Sequence, residues 1–287
     1  MKIAIIGVGM VGSMSAFLLA KGSVGKEIVL VDVDLDKART EALDIAQSMG
    51  KSGNTRVFGE SVEGILESDI VVITAGVKQE IGEKRENLRE RNEKVMEKIV
   101  DDIKKFAPNA MVVVATNPLD DMVEFVKNNM GEGKRVIGTG TELDSYRFRY
   151  YLGKYFKVNP QSVRADVWGQ HNEKAKFMWN SVYIGGIELD EFVKNNGIVW
   201  GENKKREIER KVVNSAFEII RGKGATYFAI ANVIFDIVKD IVYDEKRMFN
   251  VSLGKDGSRS VIVWEYGIKQ KTLSNRKAFF VRVFPKC

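Results

Sequence analysis

The 287 residues contain a single cysteine, Cys287, and it is the last of them. An intrachain disulfide and any multi-cysteine metal site are thereby excluded, and no metal is expected. The same usage fits a reducing compartment. Long hydrophobic runs are also missing: nothing approaches the roughly 18 apolar residues that a membrane span requires. No basic stretch, apolar run and cleavage site precede the first strand-like residues, Ile3 to Ile6. The expected location is therefore the cytoplasm, with no membrane partner. Charge of one sign is not clustered either. Lysine and arginine exceed the acids by six, but the two signs alternate along helix-like stretches such as 82–105. That pattern makes a solvated mixed face rather than a nucleic-acid groove, and leaves only a mild attraction for anionic substrates. With 44% hydrophobic and 29% charged residues, neither disorder nor a coiled coil is suggested. The length suits two abutting lobes or one large α/β domain.

What is present begins with short apolar runs separated by helix-length segments: Lys2 to Ile6, Glu27 to Val31, Asp69 to Thr74, Met111 to Ala115 and Arg135 to Ile137. This alternation implies a parallel sheet covered on both faces. Gly7-Val8-Gly9-Met10-Val11-Gly12 follows the first run and opens a helix-like stretch to Lys21. Glycines at that spacing permit a tight turn, close backbone approach to a pyrophosphate and close helix packing, and the helix N-terminus attracts phosphate charge. Asp32 closes the second strand 20 residues after Gly12. A carboxylate there accepts hydrogen bonds from a ribose and repels a 2′-phosphate, which favours NAD over NADP. Asp34 and Asp36 are candidates to cap the helix that begins near Lys37.

Further strand ends supply more polar groups. Thr74-Ala75-Gly76 leads into a polar loop carrying Gln79 and Arg85, ahead of a long helix that includes Asn92. Asn117-Pro118 follows the next strand. Loops leaving the carboxyl ends of strands in an open sheet face the ligand crevice, so a loop bearing Arg85 is placed to close over substrate. Asp144 and Arg147 share a helix face at spacing i, i+3, which alone describes a surface ion pair as well as a site. The only histidine, His171, follows an alternating strand, Val163 to Trp168, and the turn Gly169-Gln170. Histidine is the side chain that most readily exchanges a proton near neutral pH.

Together, Gly7 to Gly12, Asp32, Thr74 to Gly76, Arg85, Asn117-Pro118, Leu143-Asp144-Ser145 with Arg147, Gly169-Gln170-His171 and Gly224-Ala225-Thr226-Tyr227 resemble the lactate/malate dehydrogenase family in order and spacing. The resemblance covers residues 1 to about 250. It implies a Rossmann-type doubly wound parallel sheet over residues 1–141, which binds NAD, followed by a mixed α+β substrate domain over 142–287 with a shortened C-terminus. It implies hydride transfer between NAD and the C2 carbon of an L-2-hydroxy acid or its 2-oxo acid, in a homodimer or homotetramer. His171 would exchange the hydroxyl proton, Asp144 would hold the imidazole and Arg85 would polarise the C2 carbonyl. Arg147 would grip the substrate carboxylate, and Asn117 would hydrogen-bond near the carbonyl or the nicotinamide ribose. Thr226 belongs to the substrate pocket. Gly7, Gly9, Met10, Val11, Gly12, Asp32, Thr74, Ala75, Gly76, Asn92 and Asn117 would line the cofactor.

By the same resemblance the residue six before the loop arginine selects the substrate, and here it is Gln79. An uncharged side chain there leaves a second substrate carboxylate unpaired at a cost on the order of 3–5 kcal/mol, which favours L-lactate and pyruvate. Malate and oxaloacetate are the alternative if Lys78 or Lys84 reaches that position. Two departures stand out. Asn172-Glu173-Lys174 follows the histidine where the family has glycine, aspartate and serine, and an inward Lys174 would lower the imidazole's proton affinity. The stretch 271–287 replaces the family's late strands and final helix, and Ala278 to Phe284 reads as a strand. These departures keep open a third reading, a catalytically silent NAD-binding homologue.

Overall fold

The computed structural model describes residues 1–51, 53–78, 84–172, 174–264, 267–271 and 280–282. The first half alternates strand and helix: β1 (Lys2–Ile6), α1 (Met10–Lys21), β2 (Glu27–Val31), α2 (Leu35–Ser48), β3 (Arg56–Gly59), β4 (Ile70–Ile73), α3 (Arg85–Phe106), β5 (Met111–Val114), α4 (Leu119–Met130) and β6 (Val136–Gly138). Its strands lie parallel in the order β3-β2-β1-β4-β5-β6. Strand β3 is absent from the sequence reading. It is short, lies on the edge and begins with an exposed arginine, so it shows none of the continuous apolar character of its neighbours.

Alternation along each strand divides the core in two. Ile3, Ile5, Ile28, Leu30, Val72 and Val113 point to one face, among buried residues of α1 and α2. Ala4, Ile6, Val29, Val71, Ile73, Val112 and Val114 point to the other, among buried residues of α3 and α4. Both faces are covered, so the strands carry no polar position inside, as parallel sheets require.

The second half continues with α5 (Glu142–Phe156), β7 (Val163–Arg164), β8 (Val167–Trp168), β9 (Lys176–Phe177), β10 (Tyr183–Ile184), β11 (Ile187–Glu188), α6 (Leu189–Asn195), α7 (Glu202–Lys223), α8 (Phe228–Tyr243), β12 (Met248–Ser252), β13 (Ser258–Trp264), β14 (Gly267–Lys271) and β15 (Phe280–Arg282). The last four strands extend the parallel sheet rather than building a separate one. β12 pairs antiparallel with β6 through Ser252 and Gly138, giving ten strands in one sheet among the described residues. A third core, formed by α5, α7 and the short strands around Phe148, Leu152, Val163, Ile184 and Val212, lies off this sheet.

The single strand expected over Val163 to Trp168 is divided. β7 pairs with β10 and β8 with β9. Between them the Ala165 carbonyl and the Asp166 carboxylate are taken by Arg149 at 2.9 and 2.7 Å, and Asn250 also reaches Asp166 at 3.0 Å. Groups spent on side chains leave the ladder at that point. The strand expected over Ala278 to Phe284 is described only as β15.

Candidate active site at the carboxyl ends of the strands

The first-half candidates other than Asn92 follow the carboxyl ends of parallel strands, on the side of the sheet where the strand order reverses between β1 and β4. Gly7 has φ +98°, and a Cβ built on it would lie 2.4 Å from the Ala75 backbone. A Cβ on Gly12 would lie 2.0 Å from the Gly7 carbonyl oxygen. These two glycines are needed to fold the turn. Gly9 differs, since a Cβ there would meet no atom within 4 Å. It leaves open space at the start of α1, whose first turn includes Met10, Val11 and Gly12 and has neither a side-chain cap nor an acidic residue. Unpaired N–H groups at such a helix start suit a phosphate.

Asp32 accepts the Val8 N–H at 2.7 Å and the Asp34 N–H at 3.2 Å, so it is fixed against the glycine turn. Asp34 is the cap of α2, accepting the Lys37 N–H at 3.0 Å. Thr74 donates to the Gly7 carbonyl at 2.6 Å and the Ala75 N–H to the Ile6 carbonyl at 2.8 Å. Both brace the glycine turn, and Gly76 continues the same loop. Asn92, expected among the cofactor contacts, is 1% exposed. Its amide is used between loops, accepting the Val77 N–H at 2.8 Å and donating to the Asn117 carbonyl at 2.7 Å. Asn117 itself is exposed at the end of β5.

The candidate catalytic residues come together from the second half. α5 presents Asp144 and Arg147 one turn apart, their side chains 11% and 12% exposed, with Oδ1 of Asp144 3.3 Å from an Arg147 guanidinium nitrogen. The other carboxylate oxygen lies 2.6 Å from Nδ1 of His171. A carboxylate can only accept, so Nδ1 carries the proton and Nε2 is the ring nitrogen with a lone pair to offer. The histidine follows β8, and its loop is pinned to β13 by backbone bonds between Gly169 and Ser258.

Burial works to lower the proton affinity of His171. The charge of Asp144 and its hydrogen bond outweigh it, Arg147 opposes and Asp120 adds, so the pKa lies above the usual imidazole value. Lys174 does not depress it: the side chain is exposed, and its backbone N–H closes a turn on the Asn172 carboxamide at 2.8 Å.

Other expected residues stand apart from this cluster. Arg85 is the first residue of α3 rather than part of a loop, with its guanidinium 3.7 Å from Asp121 and 43% exposed. A salt bridge so exposed contributes little, on the order of 0–1 kcal/mol, and does not fix the side chain there. Thr226 lies half-buried in the turn between α7 and α8. Gln79 and Glu80 lie outside the described residues. A cavity of 1020 Å³ opens at the opposite, amino ends of β4 and β5, lined by Ser68, Asp69, Lys105 and Pro108. It contains none of the candidate residues.

Sequence reasoning missed Asp120, in the first turn of α4, which accepts the His171 backbone N–H at 2.9 Å. It also missed the buried network of Glu142, Arg149, Asp166 and Asn250 beneath the site, where Glu142 accepts the Asn250 N–H at 2.7 Å. An acidic residue in a first helical turn reads as a partner of the helix dipole. No local pattern links it to a histidine 51 residues later.

Comparison with known proteins places these observations. Residues 1–138 match the family described as lactate/malate dehydrogenase, NAD binding domain, and residues 141–267 match lactate/malate dehydrogenase, alpha/beta C-terminal domain. The chain is 39% identical over 253 residues to an L-lactate dehydrogenase of Allorhizobium ampelinum, covering 88% of this chain and 82% of that protein. It is 36% identical over 275 residues to an L-lactate dehydrogenase of Thermoanaerobacterium saccharolyticum, covering 95% and 86%. Among solved structures it resembles a minor L-lactate dehydrogenase from Enterococcus mundtii, with TM-score 0.87 and 31% identity over 99% of this chain and 91% of that one. It also resembles the malate dehydrogenase of Cryptosporidium parvum, with TM-score 0.88 and 30% identity over 96% and 91%.

Proposed function

The chain belongs to the lactate/malate dehydrogenase family, and on that premise we propose that it is an NAD-dependent dehydrogenase interconverting L-lactate and pyruvate. The observation that carries the reading is the buried chain of contacts Arg147–Asp144–His171, with Nε2 of the imidazole left for a substrate oxygen. The residues around Gly9 fit NAD: they leave space for a pyrophosphate at an uncapped helix start, with Asp32 held beside it. NAD, when bound, supplies the hydride acceptor for the C2 carbon of lactate.

In oxidation, Nε2 of His171 takes the hydroxyl proton and becomes imidazolium, which Asp144 stabilises across the ring. In reduction the same proton returns to the oxygen at C2. Arg147 holds the substrate carboxylate in a two-pronged grip. Arg85, released from its exposed contact with Asp121, polarises the carbonyl from the other side as negative charge develops on its oxygen. Asn117 and Thr226 complete the pocket. The uncharged Gln79 supports a monocarboxylate, and the relatives named L-lactate dehydrogenase agree with it. Likeness to a malate dehydrogenase structure keeps malate and oxaloacetate as the second reading. The proposal takes the protein as a homodimer or homotetramer, which the exposed apolar residues Val213, Phe217 and Ile220 along α7 support.

NADH oxidation with pyruvate and with oxaloacetate in parallel, using His171→Asn as control, tests the reading. Turnover of pyruvate well above oxaloacetate, abolished in the variant, is the expected result. Preference for oxaloacetate overturns the lactate assignment. Turnover of neither, with NADH still bound, overturns the enzyme and leaves an NAD-binding homologue.

A further inference from the structure

Resting on that reading of His171, we propose that Asp120 is a positioning residue for the reaction: it ties the histidine to the cofactor half of the molecule and supplies the second negative charge that balances the imidazolium.

Asp120 is 4% exposed and lies in the first turn of α4, three residues after Asn117. Both carboxylate oxygens are used. One accepts the His171 backbone N–H at 2.9 Å and the other accepts the Ser252 hydroxyl at 2.6 Å. Ser252 ends β12 and pairs with Gly138 of β6, at the seam where the parallel sheet becomes antiparallel. One side chain therefore joins three pieces of structure: the helix that follows Asn117, the seam of the sheet and the backbone of the acid/base group. The histidine loop is also pinned to the β12–β13 hairpin, by Gly169 on Ser258 and by the Gln170 side chain on the Lys255 carbonyl. The Asp120 contact is what fixes the position of the histidine backbone relative to the turn that presents Asn117.

The charges give the second half of the argument. From α5, Asp144 and Arg147 face the imidazole as a pair of opposite sign 3.3 Å apart, so Arg147 offsets part of the charge of Asp144. From α4 come Asp120 and, one turn on, Glu124, which accepts the Lys255 N–H at 3.1 Å. Lys174, on the histidine's own loop, is exposed to solvent. Among the described residues, the partners of the buried Asp120 carboxylate are uncharged donors, the His171 N–H and the Ser252 hydroxyl. The carboxylate favours the protonated ring, the form that delivers a proton to the 2-oxo acid.

The single histidine makes the test direct, because imidazole NMR signals of the full chain report only His171. Asp120→Asn is isosteric. Its amide oxygen keeps the His171 N–H, while its NH₂ faces a Ser252 hydroxyl that turns from donor to acceptor, so the anchor on the histidine stays and the charge goes. The imidazole titration midpoint is expected to move to lower pH, the pH profile of 2-oxo acid reduction to move with it, and kcat at neutral pH to fall about tenfold with KM for NADH unchanged. Asp120→Ala removes the anchor as well, and kcat is expected to fall about a hundredfold. A titration midpoint in Asp120→Asn that coincides with the wild type, or moves upward, overturns the proposal. The titration needs no turnover, so failure of the dehydrogenase reading is seen separately, as no reaction with either 2-oxo acid in the wild type.

Discussion

The proposed cofactor side and the proposed catalytic side of the site are built by different means. On the cofactor side the working atoms are backbone N–H groups, and space for them comes from missing side chains at Gly7, Gly9 and Gly12, braced by the Thr74 hydroxyl. On the catalytic side the working atoms are side-chain charges that hold one another: Arg147 on Asp144, Asp144 on His171 and Asp120 on the histidine backbone. Backbone geometry of the first kind is set by steric crowding, from within the turn and from Thr74 and Ala75 across it. The second kind is set by attraction between charged and polar side chains 27 and 51 positions apart. A turn can thus fail by overcrowding, whereas a charge chain fails by losing one partner.

The largest effect that separates the two sides is expected for Asp144→Asn. The imidazole loses the acceptor that fixes its tautomer and stabilises its charged form, and kcat should fall about a thousandfold. The glycine turn is untouched, so the NADH dissociation constant should stay the same in a fluorescence titration. Loss of NADH binding together with kcat would show that the sides are not independent.

On the cofactor side, two glycine variants break the comparison open. Gly12→Ala places a Cβ 2.0 Å from a carbonyl oxygen, so α1 must move and stability should fall by about 3 kcal/mol in urea unfolding. Gly9→Ala meets nothing within 4 Å. Its stability should match the wild type while NADH affinity falls, because the methyl group enters the space left for pyrophosphate. Equal destabilisation by both variants would contradict the division into a folding glycine and a binding glycine.

How much was legible in the sequence follows the same division. The glycine turn, Asp32 at its strand end and the cap on Asp34 each have a signature within their own segment of the sequence, although the contacts that Asp32 and the turn make come from Val8, Thr74 and Ala75. His171, Asp144 and Arg147 were readable because three residue types stood in a familiar order, although their mutual distances were not. Asp120 and the network around Asn250 were not readable, since each partner is ordinary in its own segment and only β12 beside β6 brings them together. The join of β12 to the parallel sheet was itself invisible, because one antiparallel pair at a seam leaves no periodic signal.

Asn92 sits between the two categories and sharpens the comparison. It is a side chain in the cofactor half, yet it works like the charge chain, linking the loop after β4 to the one after β5 through Val77 and Asn117. Asn92→Ala takes the partner from two part-buried groups, the Val77 N–H and the Asn117 carbonyl, and should cost about 1 kcal/mol of stability. Both the NADH dissociation constant and kcat should worsen, because Asn117 stands at the meeting of the two sides. A change in only one of them would assign Asn92 to that side alone.

The smallest effect is a pH dependence of stability, and it isolates the catalytic side. The folded protein holds the His171 proton more tightly than the unfolded chain does: burial opposes protonation, but Asp144 by charge and hydrogen bond, and Asp120 by charge, outweigh it. Because the folded value is raised, the contribution to stability is fully present below the unfolded value of about 6.5 and is lost as pH rises through the folded value. Urea unfolding of the wild type and of His171→Asn, at a series of pH values from 6 upward, should therefore show a gap that narrows as pH increases. Other titrating groups are common to both proteins and cancel in the difference. A gap that widens with pH would mean that the folded chain prefers the neutral ring, and that burial, rather than the two carboxylates, sets the charge of the catalytic side.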